Sequence, residues 1–221
     1  MKDRTLFILI GVVAVLAVSL FQRKKYQLGF IKTIISMVLI AIVGVLGTLL
    51  MYFIENGEWG GISFYGSVFI IPMFLYPYSK IIKEPYTKMS DFYVPQVCAM
   101  SAVMKILCLK SGCCGGIELF EKADGTIVKF PSQIVEMISV ILIMLLFLYF
   151  EHKGLFKGRF YPLFFIIYGS VRFALNFLRA DLNAFVWFIP SGHFWSIVAI
   201  VIGATWLLLA KSNNESKKIT N

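Results

Sequence analysis

The stretch from Tyr161 to Leu178 is almost wholly apolar, yet Arg172 sits within it. Asn176 follows at i+4 and Arg179 at i+7. At about 100° per residue the three share one narrow helix face. A guanidinium at membrane depth costs roughly 3 kcal/mol on insertion scales, so it pairs with a partner or binds a ligand. Two guanidiniums and an amide on one face suit a carboxylate or a phosphate, which arginine grips through two parallel N–H groups.

Lys105, Glu136, Gln133, Tyr65 and His193 could take part in the same chemistry. Whether they meet depends on the elements that carry them. Of the 221 residues 59% are hydrophobic, and the mean hydropathy is +0.81. Soluble domains run at roughly 45–50% apolar. The chain is therefore expected to be an all-α polytopic membrane protein. Residues 1–221 would form one transmembrane domain with a basic tail over 211–221, and neither repeats nor a soluble domain are evident. Seven segments have the ~17–25 residues a span needs. They are roughly 5–21, 34–54, 62–78, 91–109, 131–150, 161–178 and 193–210. The third and fourth carry Pro72, Pro77 and Pro95 and several polar groups, which neighbouring helices would have to cover.

Thirteen of the 21 basic residues fall after the first, third, fifth and seventh segments. Arg23, Lys24, Lys25 and Lys32 form the first group, and Lys211, Lys217 and Lys218 the last. By the positive-inside rule that side is cytoplasmic, with the N-terminus outside and the C-terminus inside. The Arg23-Lys24-Lys25 run also argues against a cleaved signal peptide. The net charge of +9 does not point to nucleic acid. Its basic residues are spread over four membrane-flanking segments, which suits anionic headgroups.

With this orientation the polar groups acquire depths. Arg172 and Asn176 lie in the outer half of the sixth span, with Arg179 at its end. Lys105 and Cys108 lie in the outer half of the fourth, Tyr65 near the outer end of the third, and Gln133 and Glu136 in the outer part of the fifth. His193 starts the seventh. Five spans thus contribute polar groups at one depth, while the inner halves offer mainly Asp91. Arg179 and Lys110 are placed to snorkel to the interface. Arg172 is deeper, and either an ion pair with Glu136 or a bound phosphate would satisfy it. A transporter would put such groups near the midplane.

Cys108, Cys113 and Cys114 cluster with Gly112, Gly115 and Gly116, and Cys98 lies further back in the same segment. The spacing is not that of a zinc site. A disulfide or close packing of small residues both fit it. His193, beside Ser191 and Gly192, suits a base, a cap or an interfacial residue.

Six segments then resemble, in order, the motifs of the prolipoprotein diacylglyceryl transferases. Gly60-Gly61-Ile62-Ser63-Phe64-Tyr65-Gly66 is similar to that family's Gly-Gly-[apolar]-Ser-x-[His/Tyr]-Gly, and Ser90-Asp91-Phe92 with Pro95 to the start of its next helix. The run from Ala102 through Lys105 to Gly112-Cys113-Cys114 resembles its signature segment in a Gly-Cys-Cys variant. Phe130-Pro131-Ser132-Gln133 with Glu136 resembles His-Pro-Ser-Gln-x-x-Glu. Tyr168-Gly169, Arg172-Phe173, Asn176-Phe177 and Arg179 resemble Tyr-Gly-x-x-Arg-Phe-x-x-Glu-Phe-x-Arg, and Ser191, His193 and Ser196 resemble Ser-x-Gln-x-x-Ser. The matching region covers about 57–203.

The resemblance implies a multi-pass enzyme of the bacterial inner (cytoplasmic) membrane that uses no metal or organic cofactor. Its partners would be phosphatidylglycerol and the lipobox segment of a prolipoprotein. It would move diacylglyceryl onto the lipobox cysteine and release glycerol phosphate. Arg172, Tyr65 and Lys105 would be catalytic. Arg179, Asn176, Gln133, Glu136, His193, Ser63 and Gly61 would bind substrate. Lys105 stands where the family has arginine, Asn176 where it has glutamate, Phe130 where it has histidine and His193 where it has glutamine. A relative that binds the lipid without turning it over, or one with another acceptor, would be consistent with those changes.

Overall fold

The computed structural model describes residues 2–219 apart from 113, 124, 181–183 and 187, and says nothing of the side chains of 2–9, 184 and 211–219. Its helices are α1 (Lys2–Arg23), α2 (Phe30–Asn56), α3 (Phe64–Ile81), α4 (Tyr86–Ser111), α5 (Ser132–Lys153), α6 (Phe160–Asn176) and α7 (Ser191–Ile219). Four are long and apolar enough to cross a membrane: α2, α4, α5 and the Ser191–Ala210 part of α7. α6 is apolar but has 17 residues, and the described apolar part of α1 is Ile10–Arg23.

The packing is inverted relative to a soluble bundle. On α2 the buried positions are Thr33, Ser36, Met37, Ile40, Gly44, Gly47 and Met51, while Ile35, Val38, Ile42, Val45 and Leu46 face outward. A continuous oily exterior with small and polar residues inside is what hydrocarbon selects, since lipid gives helices no hydrophobic reason to associate. α4 is central, packing on α1, α3, α5 and α6. Around it Phe92, Tyr93, Phe147, Phe160, Tyr161 and Phe164 are fully buried.

Two connections that the sequence reading leaves as loops are small antiparallel hairpins. β1 (Glu118–Glu121) pairs with β2 (Ile127–Lys129) between α4 and α5. β3 (Ala184–Val186) pairs with β4 (Ile189–Pro190) between α6 and α7. Both lie at one end of the bundle, the hairpin end. The residue before α5 and those after α6 tie into the first hairpin's base: Phe130 donates its N–H to the Ile117 carbonyl, and Ile117 donates to Leu178.

The opposite end is more polar than the sequence suggested. The Asp91 carboxylate accepts the backbone N–H groups of Gly158 and Phe160, the latter at 2.9 Å, and so satisfies donors at the start of α6. Glu151 accepts from the Gln22 amide and pairs with Lys25, pinning α1 to α5. Asp91 is thus one of several buried groups there, and the contacts it makes hold helices together.

Candidate functional site

At the hairpin end one carboxylate collects three cations. Glu136, in the second turn of α5, is 3% exposed. Lys105 from α4 and Arg172 from α6 both make direct ion pairs with it, and Arg179 donates from Nη1 to Glu136 Oε1 at 3.1 Å. A carboxylate buried this far is stable only if ionised partners and hydrogen bonds compensate its lost hydration.

Arg179 reaches that position because the chain after α6 turns back. Gly116 and Arg179 form an isolated antiparallel bridge, and Ala180 donates its N–H to the Gly115 carbonyl at 3.1 Å. The bridge needs glycine at 116, where a Cβ would lie 2.2 Å from the Phe130 carbonyl oxygen. Arg179 therefore does not snorkel as its terminal place on the helix suggested; it is buried beside Glu136.

Tyr168, one turn before Arg172, lines the same small space as Lys105, Glu136 and Arg172. The Tyr65 ring meets Tyr168 edge-on, with centroids 5.8 Å apart. Tyr65 Oη and Ser196 Oγ are 2.6 Å apart, and Ser196 Oγ donates to the Gly192 carbonyl at 2.6 Å. A serine hydroxyl has one proton, so Tyr65 is the donor in its pair. Tyr65 is thus held as a neutral phenol whose proton is committed to Ser196.

Asn176 ends α6 and is 1% exposed, against Gly192 at the start of α7. A Cβ at Gly192 would come 2.7 Å from the Asn176 amide nitrogen. The His193 ring lies edge-on to Phe173 and Phe177, at centroid distances of 5.2 and 4.6 Å. Among the described residues neither the Asn176 amide nor either His193 ring nitrogen has a hydrogen-bond partner. Buried donors and acceptors are seldom left so, and these stand within two turns of Arg172 on α6 or facing it from α7. Gln133 is buried one turn before Glu136 on α5.

Gly61 and Ser63 lie on the segment joining α2 to α3. Gly57, at φ 75°, ends α2 with its N–H on the Phe53 carbonyl, and the chain then folds back along the helix. Ser63 donates its N–H to the Thr48 carbonyl at 3.0 Å, and Gly61 lies flat on the Tyr52 ring. Gly61 thus lets this turn pack closely on Tyr52. Ser63 Oγ donates to Glu55 Oε1 at 2.9 Å. Glu55 is the residue that sequence reading missed. Its signal was available: it is the one acid in α2, placed just before Gly60-Gly61-x-Ser63.

Cys98 is buried within α4, Cys108 and Cys114 flank its end, and Cys113 lies outside the described residues. The expected five helices contribute to this end of the bundle, and α2 adds a sixth.

An oily helical exterior with three cations gathered on one buried carboxylate defines a helical membrane protein with a concentrated, charged interior site. The chain belongs to the prolipoprotein diacylglyceryl transferase family, whose sequence model matches residues 5–209. It is 29% identical over 220 residues to a protein of Clostridium tetani named phosphatidylglycerol–prolipoprotein diacylglyceryl transferase, covering 89% of this chain and 88% of that one. It is 26% identical over 222 residues to a Clostridium perfringens protein named phosphatidylglycerol–prolipoprotein diacylglyceryl transferase 2, covering 88% and 86%.

Proposed function

We propose that this chain transfers the diacylglyceryl group of phosphatidylglycerol to the thiol of a prolipoprotein's lipobox cysteine, forming a thioether and releasing glycerol phosphate. It would do so at the outer face of the bacterial inner membrane. In this reading all seven helices form one domain that spans the bilayer, with the N-terminus outside and the hairpin end at the outer leaflet. The observation that carries the reading is the convergence of Lys105, Arg172 and Arg179 on Glu136.

Three cations on one carboxylate leave a local surplus of positive charge, which a phosphodiester would offset. The space among them is about 10 Å³, room for about one water. A phosphate therefore enters by exchange, its oxygens taking over from Glu136 on Arg172 and Lys105. Arg172 would hold two phosphate oxygens, and Lys105 would add a single point charge. Both stabilise the negative charge that grows on the phosphate as its bond to the glyceryl carbon breaks. Asn176 and His193 supply hydrogen-bonding groups for the headgroup, Gln133 adds its amide, and Tyr65, whose proton stays committed to Ser196, offers its phenol oxygen as an acceptor.

The test is direct. Purified protein, phosphatidylglycerol vesicles and a lipobox peptide are incubated, and peptide mass is measured. A gain of one diacylglyceryl unit on cysteine is expected. Phosphatidylglycerol binding with an unmodified peptide would overturn transfer and leave a lipid-binding relative.

A further inference from the structure

The reaction needs an acceptor for the thiol proton. A cysteine thiol with its ordinary pKa of about 8.5 is mostly protonated at neutral pH, and the thiolate is the nucleophile. Glu136 is engaged by three cations. Tyr65 is a committed donor to Ser196, because Ser196 gives its own proton to Gly192. The His193 ring is buried and flanked by Phe173 and Phe177.

Glu55 differs from all of these. It is half-buried at the last turn of α2 and forms none of the described ion pairs. It accepts a hydrogen bond from Ser63, two residues from Tyr65, and the Trp195 indole of α7 also lies within hydrogen-bonding reach. Arg172 and Tyr65 both lie within charge–charge range of it. These two are the ionisable groups facing it from α6 and α3. Glu136, through Arg172, links it to Lys105 and Arg179. Its position is mechanically fixed: the Gly47 and Gly66 backbones touch so closely that a Cβ on Gly66 would fall 1.9 Å from the Gly47 carbonyl oxygen. That seam clamps α2 to α3 and holds Glu55 against Ser63.

Resting on the transferase reading above, we propose that Glu55 is the general base that deprotonates the acceptor thiol. Its carboxylate takes the S–H proton. The sulfur then attacks the glyceryl carbon bonded to the phosphate oxygen, the C–S bond forms, and the C–O bond breaks with its electron pair leaving on phosphate. The proton passes from Glu55 to the departing glycerol phosphate or to water, which returns the carboxylate. Glu55 thus acts on the acceptor and Arg172 on the donor.

The experiment compares wild type, E55Q and E55D for peptide transfer from phosphatidylglycerol vesicles between pH 6 and 9, with lipid binding measured separately. In E55Q the amide oxygen still accepts the Ser63 hydroxyl, so the turn keeps its contact. Turnover in E55Q is expected to fall by about 10²–10⁴-fold at pH 7, with lipid binding kept. Its rate should then climb about tenfold per pH unit towards the thiol's own pKa of about 8.5. E55D should recover part of the rate and the wild-type pH profile, an effect that a loop-holding role would not produce. E55Q turning over at the wild-type rate with the wild-type profile overturns the proposal and leaves the transferase reading standing. Absence of transfer by wild type overturns both.

Discussion

Arg179 Nη1 stands 3.1 Å from Glu136 Oε1, although 43 residues of chain separate them. The contact exists because the segment after α6 pairs with the one after α4, turning a helix-end arginine inward. It completes a cluster in which one anion holds three cations, and most of the testable behaviour follows from that imbalance.

In the proposed reaction Arg172 is the cation that would grip phosphate through two N–H groups. Arg172→Ala is expected to lower transfer by about 10²–10³-fold or more, the range for losing a key donor to developing charge. Arg172→Lys keeps the charge without the fork and should recover only part of it. Unaltered transfer in Arg172→Ala, measured by peptide mass, would remove Arg172 from the site.

Neutralising Glu136 should have two opposite effects. Glu136→Gln leaves Lys105, Arg172 and Arg179 without their common anion, and breaking such buried pairs costs about 3–5 kcal/mol. The melting temperature in detergent should fall accordingly. Phosphatidylglycerol would then be the replacement anion, so its addition should raise the melting temperature more in this variant than in wild type. An equal rise in both would argue against exchange between carboxylate and phosphate.

Gly116→Ala tests whether the hairpin base positions Arg179. Its Cβ would meet the Phe130 carbonyl at 2.2 Å, so either Phe130 or the bridge must shift. A stability loss of about 1–3 kcal/mol is expected from overpacking. Transfer should fall with it even though no charged side chain has changed.

Gly66→Ala attacks the α2–α3 seam. The new methyl would overlap the Gly47 carbonyl and force the two helices apart. Destabilisation of about 1–3 kcal/mol is expected, read as a lower melting temperature. Separation of Glu55 from Ser63 should also lower turnover at saturating lipid more than it lowers lipid binding.

Much of this arrangement was legible in the chain. An interior Arg172 with Asn176 and Arg179 on its face pointed to a buried anion, because a charge in an apolar helix demands a partner. Helix spacing placed Gln133 and Glu136 together, and the order of motifs identified the family. Glu55 was visible as the one acid of α2, but its pairing with Ser63 was not, because Ser63 lies across a chain reversal that sequence periodicity does not describe. The commitment of Tyr65 was hidden as well, since its direction is set by a Ser196 proton given to Gly192 on another helix.

The sequence by itself determined that the chain forms apolar helices, which residues carry charge at one end, and the family to which the chain belongs. Those properties are written in hydropathy, in the spacing of basic residues and in short motifs, all local along the chain. Only the tertiary structure decided how the charges are paired: three cations to Glu136, none of the described ones to Glu55, and Arg179 inward instead of outward. Pairing depends on distances of a few ångströms between helices, and these are set by glycine contacts and hairpin bridges joining residues far apart in the chain.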